Sequence, residues 1–320
     1  MGDIRVGGES AGSCYRAIPM PTQMQILQLV QLMRPMAPQR DSVRAGGSGD
    51  GGYVVPDYLD GLDGVVSIGV GGDVSFDLWF AERGVPVFQY DHTVAESPVA
   101  HDRFTFRPLA WAPGDGEGTR SLEGMLRENG LAESRNLLLQ FDVEGAEWAC
   151  LDALGEGFLD RFRVIVGEFH GLDRLGDEKY FEAVSRALGL IDATHACTHV
   201  HANNCCGIHL VAGVPVPAVI ELSFLRRSES TFTPSDAPIP GPLDRPNVAR
   251  DDIVLNAWSA QGKDDLVALA IEVAASATRA RAEAEAARDA AEQALDGVLT
   301  SRSWRLTSGL RLMRARITRG

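Results

Sequence analysis

The chain has no run of about eighteen or more consecutive apolar residues, so a membrane-spanning helix is not expected. It also lacks a basic excess: 30 Lys and Arg stand against 44 Asp and Glu, a formal net charge of -14. A general nucleic-acid binder needs a basic face to replace phosphate counterions, and that class is set aside. Cysteine is scarce and odd in number: Cys14, Cys150, Cys197, Cys205 and Cys206. A disulfide framework is therefore not expected, and a reduced, cytoplasmic protein is the simpler reading. The first residues carry Asp3, Arg5 and Glu9 and no apolar core of the signal-peptide kind. What is present is ordinary for a globular chain of 320 residues, 45% hydrophobic and 23% charged. That is enough for one large α/β domain and an appendage.

Residues 1–44 read as an irregular stretch and one helix. Thr22 and Gln25 have capping-box spacing, ahead of Ile26, Leu29, Val30 and Met33 on one helical face. A glycine-rich turn, Gly46-Gly47-Ser48-Gly49-Asp50-Gly51-Gly52, then enters a short extended segment, Tyr53-Val54-Val55-Pro56. From residue 64, apolar strands are expected at 65–68, 85–90, 104–109, 137–141 and 164–166, with late β-rich runs at 198–201, 207–211 and 218–225. Helices are expected near 76–83, 122–129, 150–154 and 178–189. This alternation predicts a doubly wound, mostly parallel sheet over residues 45–227. Residues 228–263 are rich in Pro, Ser, Asp and Asn and read as a surface loop or linker. Residues 264–296, rich in Ala, Glu and Arg, read as a long helix. In 297–320 the charge changes sign: arginines interleave with Leu306, Leu310, Met313 and Ile317 at helical spacing. Such a basic amphipathic tail suits an anionic membrane surface or a protein partner.

One segment carries a nucleoside-binding signal: Val66-Ser67-Ile68-Gly69-Val70-Gly71-Gly72-Asp73. Glycines directly after a buried strand allow a sharp turn and close approach of backbone to ligand. The next helix then points its amide end at that ligand. Asp91, about twenty residues on at the end of the next strand, is placed to accept ribose hydroxyls. In the dinucleotide fingerprint a third glycine packs beneath a pyrophosphate; here Val74 holds that place. A nucleoside without a pyrophosphate therefore fits better than NAD.

A second segment puts carboxylates at the end of the fourth expected strand: Gln140-Phe141-Asp142-Val143-Glu144-Gly145-Ala146-Glu147. Together with the glycine turn and Asp91, this run resembles the FkbM family of methyltransferases, whose signature reads like KIDVEGAE. The resemblance spans about residues 45–225. It implies a class I methyltransferase (Rossmann-like) α/β fold and S-adenosylmethionine as methyl donor, held by Gly69, Gly71, Gly72, Asp91 and Asp142. It further implies O-methylation of a hydroxyl, often on a sugar or polyketide.

An alcohol acceptor must lose its proton to a base or bind a metal. His170 has the pKa range for a general base, with Glu168 to orient it or hold a cation. Thr198-His199-Val200-His201-Ala202-Asn203-Asn204 is a second polar cluster, in which His201 is an alternative base and His199, His201 and Asn204 are candidate substrate ligands. Tyr53 is a candidate stacking surface for a sugar, or packs on the core. Asp142, Glu144 and Glu168 offer the hard oxygen ligands that Mg2+ favours. His199, His201, Cys205 and Cys206 match zinc by ligand type, although adjacent cysteines chelate poorly. The segment Ser301-Arg302-Ser303-Trp304-Arg305-Leu306-Thr307 resembles a stretch that follows coiled coils in some bacterial glycan-assembly proteins. That points to a lipid-linked or cell-surface saccharide made at the inner face of the membrane. Two other readings compete: a nicotinamide-dependent oxidoreductase, and a membrane-recruited scaffold that has lost catalysis. The oligomeric state is left open.

Overall fold

The computed structural model describes residues 20–259 and a set of helical positions between 275 and 293. The chain divides into two units, Met1–Val267 and Ala268–Gly320. In the first, seven strands form the central sheet: β1 (Gly64–Ile68), β2 (Val87–Tyr90), β3 (Phe104–Arg107), β4 (Leu137–Phe141), β5 (Phe162–Phe169), β6 (His195–Ala202) and β7 (Ile220–Arg226). Their spatial order is β6-β7-β5-β4-β1-β2-β3. The pairs from β5 across to β3 are parallel, while β7 runs antiparallel to both β5 and β6. This mixed α/β architecture with a mostly parallel sheet is compatible with a Rossmann-like fold.

β1 and β4 are buried along their whole lengths, as expected of apolar strands covered on both faces. Their two polar residues satisfy each other: Ser67 Oγ donates to Gln140 Oε1 at 2.8 Å. Among the described residues of this unit, five α-helices accompany the sheet: α1 (Gln23–Leu32), α2 (Ser75–Ala81), α3 (Leu122–Glu128), α4 (Glu147–Asp152) and α5 (Glu178–Asp192). The Thr22/Gln25 capping box is formed, and Ile26, Leu29, Val30 and Met33 are buried. α1 packs against α5, so the chain from residue 20 onward belongs to the body of the domain. β2 starts later than its apolar pattern predicts, because Gly84 takes φ +85° and Pro86 has no N–H to donate. The expected strand at 207–211 forms a separate hairpin, Ile208–Val211 with Val214–Pro217, outside the main sheet.

The described part of the expected linker, 228–259, is irregular as composition suggests, but it is not a free connection. It runs over the domain as a strap, with Ile239, Leu255 and Trp258 buried. Met36–Ala37 pairs with Thr233–Pro234, and Ser230 Oγ accepts from Tyr58 Oη at 2.8 Å. Widely spaced apolar residues anchor such a segment without leaving a periodic signature. In the second unit, the described positions 285–293 are helical and exposed, with i,i+4 ion pairs Arg281–Glu285 and Arg288–Glu292. Residues 297–320, the basic tail, lie outside the described residues. No helix among those described is long and apolar enough to cross a membrane.

The cysteines depart from expectation at one place: Cys205 and Cys206 are joined in a disulfide, while Cys150 and Cys197 are free and buried.

Two predictions test this packing. Trp258→Ala removes a fully buried side chain and should cost about 3–5 kcal/mol in urea denaturation, with faster proteolysis of the strap. His195 is buried, with Nε2 2.8 Å from the Phe162 carbonyl oxygen, and burial pushes its pKa down to about 4. The unfolded chain therefore takes up this proton below about pH 6.5 while the folded one does not, so stability falls with pH. Between pH 7 and pH 5, wild type should lose roughly 2 kcal/mol more than His195→Gln in denaturant titrations.

Candidate functional site

The order of the sheet reverses between β1 and β4, so the connections that leave their carboxyl ends run apart and open a crevice, the usual ligand position in open α/β sheets. Gly69 ends β1 with φ +83°, and a Cβ there would stand 1.6 Å from the carbonyl oxygen of Asp142. Only glycine permits this approach, and the Asp142 N–H donates to the Ile68 carbonyl at 2.9 Å. Gly71 also has positive φ, +54°; its N–H donates to Asp91 Oδ2 at 2.8 Å. Asp91 Oδ1 accepts from Thr93 N and Oγ1 at 2.7 and 2.6 Å. Burial alone would raise the Asp91 pKa, but the bonds from Thr93 and Gly71 outweigh it and hold the carboxyl below its usual range.

A cavity of about 540 Å³ opens here, lined by Gly69, Asp91, Leu109, Trp111, Asp142 and Val143 among others. Trp111 forms its apolar wall and packs on Phe141, ring centroids 5.4 Å apart. A smaller cavity of about 140 Å³ adjoins it, sharing Gly69, Gly71 and Asp142 and adding Asp50, Tyr53 and Gly72. The five residues assigned to a nucleoside cofactor are thus brought together. Tyr53 is buried and edge-on to Phe76 at 5.4 Å, so it packs on the core and offers no open face for a sugar.

Beyond Asp142 lies a cluster built on the ends of β4 and β5. His170 Nε2 stands 3.6 Å from Asp142 Oδ1, 3.5 Å from Glu144 Oε2 and 3.4 Å from Glu168 Oε2. On the other side of the ring, Nδ1 lies 3.4 Å from Glu147 Oε1. Glu147 is fully buried and accepts from the backbone of Gly145 at 2.9 Å and of His170 at 2.6 Å. Glu168 is buried too, and its Oε1 accepts from Asn203 Nδ2 at 3.0 Å. Burial raises the pKa of Glu168 well above the carboxylate range, with Asp142 and Glu221 adding to it. Burial pulls the His170 pKa down, but Glu147, Asp142 and Glu168 overcome this and raise it. His170 thus stands among four carboxylates, those of Asp142, Glu144, Glu147 and Glu168. The chain between these groups is locally unusual: Glu144, a non-glycine residue, takes φ +53°, as strained residues at functional sites do.

The second polar cluster has a different job. His201 is fully buried between Glu221, 3.3 Å from Nδ1, and Asp252, 3.0 Å from Nε2. Burial lowers its pKa, but these acids outweigh that and raise it to about 9, so it is no base near neutrality. His199 Nε2 pairs with Asp244 Oδ1 at 2.7 Å. Asn204 accepts from Val248 N at 2.9 Å and donates to the Arg250 carbonyl at 2.9 Å. His199, His201 and Asn204 are therefore engaged in holding the strap, which corrects their assignment to substrate. The zinc set fails for the same reason: its histidines have carboxylate partners and its cysteines are bonded to each other.

Sequence reasoning placed Glu147 and Asn203 within their segments without giving either a role, and did not single out Trp111. Glu147 follows directly on the carboxylate run after β4, a local signal, whereas the contacts of Asn203 and Trp111 depend on chain packing. Gly69→Ala should lower stability by several kcal/mol, since a Cβ cannot coexist with the Asp142 carbonyl. Gly72→Ala, where a Cβ meets nothing, should be far milder in thermal denaturation. No family model matches the chain, and no curated protein matches it.

Proposed function

We propose that the protein is an S-adenosylmethionine-dependent O-methyltransferase of class I fold. The observation that carries the reading is the cavity in which the glycine turn, the low-pKa Asp91 and the Trp111 wall meet Asp142. Its volume falls within the range of small-ligand sites, roughly 300–1,000 Å³. Asp91 remains ionised and keeps lone pairs for ribose hydroxyls beyond the bonds from Gly71 and Thr93. Trp111 and Leu109 offer an apolar slot for a base, and the turn at Gly69 and Gly71 lets the ligand approach the backbone. Asp142 lines both cavities, so the methyl donor's reactive end and the carboxylate–histidine cluster would share a border.

The strand order also favours this reading over an oxidoreductase. A dinucleotide-binding sheet runs 3-2-1-4-5-6; here the antiparallel β7 stands between β5 and β6, an arrangement that fits the class I methyltransferase assignment. Val74 in place of the third glycine agrees. The acceptor oxygen would reach the methyl carbon along the line of the C–S bond, so positioning supplies much of the rate. The acceptor's hydroxyl would stand beside the Asp142–Glu168–His170 cluster and lose its proton to solvent there. A hydroxyl of a saccharide or glycosylated metabolite, free or lipid-linked, is the acceptor class proposed, on the resemblance given above. The chain would act from solution or at the inner membrane face through residues 297–320.

Isothermal titration tests the cofactor directly. S-adenosylmethionine should bind saturably and NADH should not, and Asp91→Ala should weaken the former about tenfold or more through lost charge-assisted hydrogen bonds. Absence of S-adenosylmethionine binding to the folded protein would overturn the reading.

A further inference from the structure

The ends of β4 and β5 gather more carboxylate than one imidazole neutralises. Asp50, Asp142, Glu144, Glu147 and Glu168 all act electrostatically within this region. Yet the central groups do not hydrogen-bond one another. Asp142 Oδ1 is buried without a hydrogen-bond partner. Glu168, only 4% exposed, uses Oε1 for the Asn203 amide and turns Oε2 towards His170 Nε2. One ligand atom each from Asp142, Glu168 and His170 lies within 4.8 Å of the others.

We propose that Asp142, Glu168 and His170 bind a divalent transition-metal ion, of the Mn2+ or Co2+ kind, which holds the acceptor oxygen. The acceptor's identity rests on the methyltransferase reading; the metal site itself does not. The spacing fits. Two donors each about 2.1 Å from one ion stand roughly 3.0–3.5 Å apart in octahedral or tetrahedral geometry; Nε2 is 3.4 Å from Glu168 Oε2 and, just beyond that range, 3.6 Å from Asp142 Oδ1. The support behind the ring fits as well. A metal-bound histidine commonly turns its other nitrogen to a carboxylate, which fixes the ring and raises its basicity; the buried Glu147 occupies that place on the Nδ1 side. An imidazole among the ligands favours a transition metal over Mg2+, which prefers an all-oxygen shell. The histidine thus takes the position that the sequence pattern assigns to Glu144, whose side chain is 86% exposed.

Three protein ligands leave coordination positions open for a substrate oxygen. An acceptor hydroxyl held there becomes more acidic and releases its proton to solvent. Its oxygen then forms a bond to the methyl carbon while the carbon–sulfur bond breaks. The electron pair of that bond stays on sulfur, which passes from sulfonium to thioether. The products are the methyl ether, S-adenosylhomocysteine and the released proton.

The test uses the full chain, stripped with chelator and titrated with Mn2+, free ion being read by electron paramagnetic resonance. One ion per chain should bind, and His170→Asn and Glu168→Gln should each weaken binding tenfold or more. Co2+ gives a second readout: a visible absorption band that shifts in His170→Asn. Circular dichroism identifies variants that fail to fold, and Glu147→Gln, which keeps the side chain's shape but removes the charge behind the ring, should then still show weakened Mn2+ binding. No Mn2+ or Co2+ binding by folded wild type, or binding unchanged in both ligand variants, overturns the proposal. Mn2+ binding without S-adenosylmethionine binding upholds the metal site and counts against the methyltransferase reading alone.

Discussion

The contact on which the site depends is the approach of the Asp142 carbonyl to Gly69. No side chain fits between them, so the ends of β1 and β4 are held at a separation that only glycine allows. Asp142 is thereby fixed at the border of two cavities, one walled by Asp91 and Trp111 and the other by Asp50, Tyr53 and Gln140. Had the ends splayed by the width of a methyl group, the carboxylate would have left that border. A parallel sheet supplies the rest: its strands end together, and their last residues converge without any long-range search by flexible loops.

The second constraint is electrostatic. Burying several carboxylates together is unfavourable unless each is hydrogen-bonded, protonated or paired. The chain answers differently at each one. Glu147 is satisfied by two backbone amides and Glu168 by Asn203. Asp77, in the first turn of α2, accepts from Gln89 at 2.6 Å, and burial nonetheless raises its pKa to about 6. Among the described carboxylates, Asp142 keeps a buried oxygen with no hydrogen bond. That unmet demand, beside an imidazole whose Nδ1 faces the buried Glu147 at 3.4 Å, distinguishes the cluster from a merely acidic rim.

What was legible in the sequence was local. A buried strand followed by glycines, an acid at the next strand end and carboxylates after β4 are all defined within a few residues, and the structure sets them around one crevice. The capping box at Thr22 and the apolar face of α1 were legible for the same reason. What escaped were pairings between distant segments. His199 and Asp244 are 45 residues apart, and His201 and Asp252 are 51 apart. With partners unseen, two histidines beside a strand look like ligands or bases, and a Pro/Ser/Asp segment looks like a linker. The strap and its latches explain each other, but neither carries a periodic pattern that would reveal it.

Two neighbouring asparagines join these themes. Asn203 donates to Glu168 in the cluster, while Asn204 holds the strap at Val248 and Arg250. The same turn contains the bonded pair Cys205–Cys206, and Cys205 N donates to Asn203 Oδ1 at 2.9 Å. The strap in turn reaches the glycine-rich loop, where Asn247 Nδ2 lies 3.0 Å from Asp50 Oδ1 and 2.6 Å from Glu221 Oε1. Cluster, strap and loop are therefore not independent ornaments on the sheet. Moving the strap would disturb Asp50 on one side and, through the asparagine turn, Glu168 on the other. Polar networks of this kind are stable only when nearly all members are satisfied. A docked strap is thus part of what gives the carboxylates their geometry.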